Sequence, residues 1–230
     1  EVDYSMASFP DKHWWFYFSM DNVQDKTVVL ELQNLAPEDF SEGRWTSHEP
    51  VYSYDNLNWE RVPESGFEYN EAARTFTITF TPSENTVWLA PIPPYTVSMA
   101  EELFNSYSSS PYLSVTSLGS TPLGYEMKVA TITDSSYPDG GKRKVYIIAQ
   151  QHSFESISSF VAEGMIRFLL DESNPIAIAM RANCIFKIIP VANPDGVVMG
   201  VSRYTPFRGT SQYDLNREWG LDVSSMQPET

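Results

Sequence analysis

The chain has a single cysteine, Cys184, so no disulfide can close within it. That fits a reducing compartment, although secreted bacterial proteins also dispense with disulfides. Cys184 lies in the apolar run CIFKIIPVA and reads as a small core residue. Positive charge is also scarce: 15 Lys and Arg stand against 30 Asp and Glu, a formal net charge of −15. This balance argues against non-specific binding to nucleic acid or to anionic membranes, and against long-range steering of an acidic substrate. No run approaches the roughly 20 apolar residues that span a bilayer. Histidine is limited to His13, His48 and His152. The chain starts at Glu1 rather than Met and shows no signal-like stretch, so it reads as processed or trimmed.

What is present is enough for a folded protein. The 230 residues are 42% hydrophobic and 14% aromatic, which suits one large or two modest globular domains. The first part reads as β. HWWFYFSM and TVVLELQNL are rich in aromatic and branched residues, and RTFTITFT alternates Phe76, Ile78 and Phe80 against threonines. Turn clusters SYDNLN and PESG separate such runs, and together they predict an all-β antiparallel sandwich over residues 1–95. The aromatics of HWWFYF are expected in its core rather than on a carbohydrate platform.

The pattern changes after PIPPYT. SMAEELFNSYSSS predicts a helix, EMKVATITD a strand and KRKVYIIAQ a near-continuous apolar strand. SISSFVAEGMIRFLL predicts an amphipathic helix with Ile157, Phe160, Val161, Gly164, Met165, Phe168 and Leu169 on its apolar stripe. NCIFKIIPVA predicts another buried strand. Strand, helix, strand at this spacing is a βαβ unit, so residues 96–230 are expected to be α/β with a mixed, partly parallel sheet. DSSYPDGGKRK reads as a hairpin turn before Val145; it lacks the spacing of a phosphate loop.

His152 and Glu155 follow the strand VYIIAQ at its C-terminal end, where open α/β sheets bind ligands. A His and a Glu three apart at a strand-to-helix junction can reach one point, and their donor atoms suit zinc. The plainer reading is a Glu favoured by a helix N-terminus beside a loop histidine. Downstream, Asn193-Pro194-Asp195-Gly196 has the composition of a tight turn. Arg203, Arg208 and Arg217 then fall close together in an otherwise acidic chain, with Asn216 beside Arg217. An arginine fork with an adjacent amide suits a carboxylate, and a further arginine near a metal could stabilise an oxyanion. A solvated basic loop would carry the same residues.

The ordered set His152-Ser-Phe-Glu155, Asn193-Pro-Asp-Gly-Val197, Arg203 and Asp214-Leu-Asn-Arg217 resembles the zinc carboxypeptidases, and most closely their cytosolic branch, which carries a β-sandwich before the catalytic domain. HWWFYFSM, YSYDNLNW, NTVWLA and PPYT look like hallmarks of that sandwich, so the resemblance covers nearly the whole chain. It implies one zinc ion with His152 and Glu155 as two of three protein ligands. It implies Arg203 as the arginine that polarises the scissile carbonyl, with Arg208 as a rival that the cytosolic-type spacing disfavours. It implies Asn216 and Arg217 as the grip on a peptide's terminal carboxylate, and a cytoplasmic enzyme acting on peptide or protein C-termini, with acidic tails as one substrate class. In two respects the chain departs from the family pattern. Ser153-Phe154 replace the usual Pro-Gly, and no histidine follows His152 to serve as third ligand. His13 and His48 fall in the expected sandwich and read as packing or surface residues. The chain is therefore expected to be the first part of a longer catalytic domain and inactive by itself. A non-catalytic carboxypeptidase-like binding module is the alternative.

Overall fold

The computed structural model describes residues 15–33, 35, 49–205 and 213–220. The described residues up to Pro94, with Met199–Arg203, form one compact unit; Tyr95–Val198, with 204–205 and 213–220, form the other.

The first unit contains β1 (Phe18–Asp21), β2 (Val28–Leu32), β3 (Val51–Ser53), β4 (Glu60–Arg61), β5 (Phe67–Asn70), β6 (Thr75–Phe80) and β7 (Thr86–Ala90). They form two antiparallel sheets, ordered β1-β7-β3-β4 and β2-β6-β5. The alternation in β6 works as the sequence predicts. Phe76 and Ile78 are buried from one face while the intervening threonines remain partly or wholly exposed. Val87 and Leu89 do the same in β7. The sheets touch where the rings of Tyr52 and Phe80 lie 5.7 Å apart. At the SYDNLN turn the Asp55 carboxylate accepts hydrogen bonds from Asn58 N, Asn58 Nδ2 and Leu57 N. Those donors, the Asn58 backbone amide first, hold its pKa well below the usual carboxylate range.

The second unit contains α1 (Val97–Ser106), β8 (Leu113–Ser120), β9 (Glu126–Ile132), β10 (Arg143–Ile148), α2 (Ser156–Leu170), α3 (Pro175–Asn183), β11 (Cys184–Ile189) and α4 (Pro194–Met199). Its sheet has the order β10-β11-β9-β8 and is mixed: β10 runs parallel to β11, and the other pairs are antiparallel. The β10–helix–β11 crossover is the βαβ unit that the hydrophobic pattern predicts, with α3 as an added helix. Asn174 caps α3 by accepting from Ile176 N and Ala177 N, and Pro175 opens it. Thr96 caps α1 by accepting from Met99 N.

Four local readings change. DSSYPDGGKRK does not close a hairpin, because β9 and β10 each pair with β11 and not with each other. NPDG does not end in a bare bend; Pro194 begins α4. The strand at Val145 is an edge among the described residues, and Tyr146 is 67% exposed. In α2 the stripe is rotated: Ile157 and Val161 face outward, and Ser159, Ala162, Ile166 and Leu169 are buried. The small side chains let the helix approach the sheet, and the Ser159 hydroxyl reaches Pro190 O at 2.7 Å.

The core of this unit gathers Leu103 and Phe104 of α1, Ala130 and Ile132 of β9, Ile166 and Leu169 of α2, and Phe186 and Ile188 of β11. Beside it, Arg181 is 1% exposed. Its guanidinium stacks on the Tyr112 ring at 4.2 Å, while NH1 donates to the carbonyls of Leu169 and Asp171. It therefore closes the C-terminal end of α2, whose last carbonyls have no helical partner. Arg181→Ala is expected to cost about 2–4 kcal/mol, since it empties a packed site and orphans both carbonyls. Urea unfolding of the two proteins measures the difference, and an unchanged midpoint would contradict this role.

Candidate functional site

The parallel register of β10 and β11 brings the ends of both strands together. The pairing continues past the strands through Ala149 N→Ile189 O, Ala192 N→Ala149 O and Asn193 N→Gln150 O. The loop 149–155 is thus tied to the loop 190–193 on one edge of the sheet, beyond the carboxyl end of a parallel strand.

His152 sits in the first of these loops and is 5% exposed. Its Nδ1 lies 2.9 Å from Glu155 Oε1, and its Nε2 lies 3.0 Å from Asp214 Oδ1. Glu155 occupies the N-cap position of α2, yet its carboxylate makes no capping bond. It turns to the imidazole instead. The His152 and Glu155 side chains therefore meet at one point.

The donor set fits half of a zinc site. An imidazole nitrogen and a carboxylate oxygen converge, and the other ring nitrogen lies against a second carboxylate, the arrangement that orients metal-ligating histidines. Bonds of about 2.0–2.2 Å at a tetrahedral angle would separate the two donor atoms by roughly 3.3–3.6 Å, so the pair, 2.9 Å apart here, would have to open around an ion. Among the described residues no group of three or more His, Cys, Asp or Glu side chains is placed to hold a metal.

Asn216 and Arg217 lie on a 3-10 turn, Leu215–Arg217, capped by Asp214, whose Oδ1 accepts from Asn216 N at 3.0 Å. The oxygen that meets His152 thus also anchors this turn. Both side chains are exposed, and the Arg217 guanidinium donates to Asn216 O at 3.1 Å. The structure brings Asn216 and Arg217 next to the His152 partner. Arg203 falls in the Met199–Arg203 segment that groups with the first unit. Arg208, His13 and His48 lie outside the described residues.

Sequence reasoning left Asp214 without a role. A ligating histidine needs a carboxylate or carbonyl on its second nitrogen, and Asp214, immediately before Leu-Asn-Arg, was the candidate that this requirement would have singled out. Asn193 was read as part of a turn. It is wholly buried, its Oδ1 accepts from Gly196 N at 2.9 Å, and its Nδ2 donates to Tyr204 O at 3.1 Å. Thr205 then bridges Tyr213 through Thr205 N→Tyr213 O, and Asp214 follows. Asp195 is equally buried and accepts from Thr121 Oγ1 and Leu123 N, holding the β8–β9 turn.

Gly196 leaves room for this link. A Cβ there would fall 2.7 Å from both Asn193 Nδ2 and Tyr204 O. Gly196→Ala is expected to destabilise the protein by about 1–3 kcal/mol through overpacking against backbone. Thermal and urea unfolding measure this, and wild-type stability would refute the close approach.

The family profile for zinc carboxypeptidases matches residues 97–229, and that for the cytosolic carboxypeptidase N-terminal domain matches residues 8–91. Human cytosolic carboxypeptidase 6 is 29% identical over 97% of this chain and 46% of its own length. Mouse cytosolic carboxypeptidase 3 is 27% identical over 92% of this chain and 22% of its own. A metallo-carboxypeptidase from Burkholderia cenocepacia superposes with a TM-score of 0.80 at 28% identity, over 96% of this chain and 57% of that one. The chain spans about half the length, or less, of the curated relatives it matches. With its family match running over more than half of its residues, behind the N-terminal domain of the cytosolic branch, this chain belongs to the zinc carboxypeptidase family.

Proposed function

We propose that these residues serve a zinc-dependent metallocarboxypeptidase that hydrolyses the last peptide bond of peptides or proteins. The observation that carries this reading is the convergence of His152 Nδ1 and Glu155 Oε1, with Nε2 of the same ring held by Asp214 beside Asn216 and Arg217. Residues 1–95 act as the accessory β domain in this reading, and 96–230 carry the catalytic residues. The cytosolic names of the relatives support a cytoplasmic setting.

The chemistry adds water across one amide. The C–N bond breaks, the leaving amine takes a proton, and the products are a shortened chain and a free amino acid. His152 and Glu155 hold the metal, which when bound lowers the pKa of water and polarises a carbonyl. Asp214 fixes the imidazole's tautomer and orientation. Asn216 and Arg217 hold the terminal α-carboxylate, and the exposed guanidinium can offer it a planar fork. Arg203 stabilises the charge that develops on the carbonyl oxygen. No described residue is assigned as general base. Trimming of acidic C-terminal residues is the finer proposal. With a net charge of −15, such a preference must come from local cations such as Arg217 and Arg203.

A second reading is a non-catalytic carboxypeptidase-like binding module. The two readings separate on turnover: both bind C-terminal carboxylates, and only the enzyme releases an amino acid.

Arg217→Ala in the whole protein is expected to lower kcat/KM on free-carboxylate peptides by about 10²–10³-fold, the loss of one charge-paired contact. Activity equal to wild type on such peptides would remove Arg217 from the carboxylate site. Release of glutamate against leucine from otherwise identical peptides tests the acidic preference. Asp214→Asn is expected to weaken zinc binding by about 10–100-fold, measured by metal content after dialysis against a chelator. Full retention of zinc would show that Asp214 does not support the ligand.

A further inference from the structure

Gln150, two residues before His152, has backbone φ of +53°, a left-handed conformation that few residues other than glycine and asparagine adopt. It is 2% exposed, and each of its polar groups is engaged. Its N–H donates to Ser158 Oγ at 2.9 Å, and its carbonyl accepts from Asn193 N at 3.2 Å. Its Nε2 donates to Ser153 O at 2.8 Å and to Tyr95 O at 3.2 Å. Its Oε1 lies 2.8 Å from Ser159 Oγ, whose single proton it shares with Pro190 O.

These bonds surround the loop that carries His152 and Glu155. The amide fixes Ser153 O in the middle of the loop. The Ser158 hydroxyl accepts the Gln150 amide on one side and donates to Glu155 O, at 2.6 Å, on the other. Glu155 N→His152 O, at 3.0 Å, closes the turn. Ser153-Phe154 include no proline, so the sequence of the loop does not by itself fix its shape. A strained, buried residue whose hydrogen bonds are saturated does so instead.

We propose that Gln150 is a positioning residue: its buried amide and left-handed backbone set the 152–155 loop so that the His152 and Glu155 donor atoms face one point. The inference rests on the metal reading for its consequence and on the loop geometry for its cause. A second set of buried contacts, around Asn193, orients the Asp214 side of the same imidazole.

The test uses the whole protein. Gln150→Gly removes the amide but relieves the left-handed strain. Gln150→Glu keeps the side-chain length and replaces the donor to Ser153 O by an acceptor. Each is read in folded protein, as judged by a cooperative thermal melt, with Ser159→Ala in reserve should either fail to fold. Zinc affinity, by competition with a chromophoric chelator, is expected to fall about tenfold or more in both variants, the usual effect of losing an outer-shell partner. In metal-free protein, long-range 15N–1H NMR spectra are expected to show displaced His152 imidazole nitrogens. Zinc affinity within twofold of wild type together with unshifted imidazole nitrogens would overturn the inference, because a purely structural role lowers the melting temperature and moves neither readout. If the wild-type whole protein takes up no zinc, or His152→Ala takes up as much as wild type, the metal reading fails. The imidazole spectrum then decides the positioning role alone: displaced nitrogens support it, and unchanged ones refute it.

Discussion

Parallel pairing of β10 with β11 places two C-terminal strand ends side by side, where the chain must leave the sheet and its backbone groups lose their ladder partners. The loops answer this need with each other and with buried amides. Ala149, Gln150, Ala192 and Asn193 extend the ladder for a few residues, and the Gln150 and Asn193 side chains take over where it stops. Antiparallel strands joined by a tight turn would leave no such edge. The position of His152 therefore follows from the crossover topology before any chemistry is considered, and the crossover follows from two β-branched apolar runs separated by helices.

Burial explains why the site can be precise in a chain of such uneven charge. A polar group removed from water is costly unless it is partnered, so a saturated network has few alternative arrangements of comparable free energy. Gln150, Asn193 and Asp195 are all buried and all partnered. The exposed groups of the site are different. Arg217 projects from a capped turn into solvent with its charge unneutralised by any described carboxylate, although acidic residues outnumber basic ones two to one in the chain.

Much of this was legible in the sequence, for identifiable reasons. Strand β6 declared itself because one face is buried and the other is not, which imposes a period of two. His152, Glu155, Asn216 and Arg217 were singled out by their order within a resemblance to the zinc carboxypeptidases, because the spacing alone would equally suit a polar loop and a solvated basic loop. The roles of Gln150, Asp214 and Asn193 were not visible, because each acts through contacts to residues distant in sequence. Asp214 meets His152 across 62 positions, and Gln150 meets Tyr95 across 55. Hydrogen-bond partners at such separations leave no periodic trace, and a glutamine in a loop looks like any other polar connector.

The rotated face of α2 shows a different limit. Periodicity establishes that a helix has an apolar stripe, but burial is decided by how closely the helix can approach what it packs against. Here Ser159 and Ala162 face the sheet, and the serine hydroxyl gains Gln150 Oε1 and Pro190 O as partners. The larger Ile157 and Val161 would hold the helix farther off if they took that place, and the hydroxyl would lose the strand-end partners that keep Gln150 in position. The outward stripe is thus tied to the strand-end loops: α2 is turned so that its polar small face meets the loop that carries Gln150, and bulky apolar side chains stay in solvent as a result. Where a helix following a candidate ligand loop carries serines four residues apart from the ligand or its neighbours, the choice of buried face is better argued from those hydroxyls than from the hydrophobic stripe.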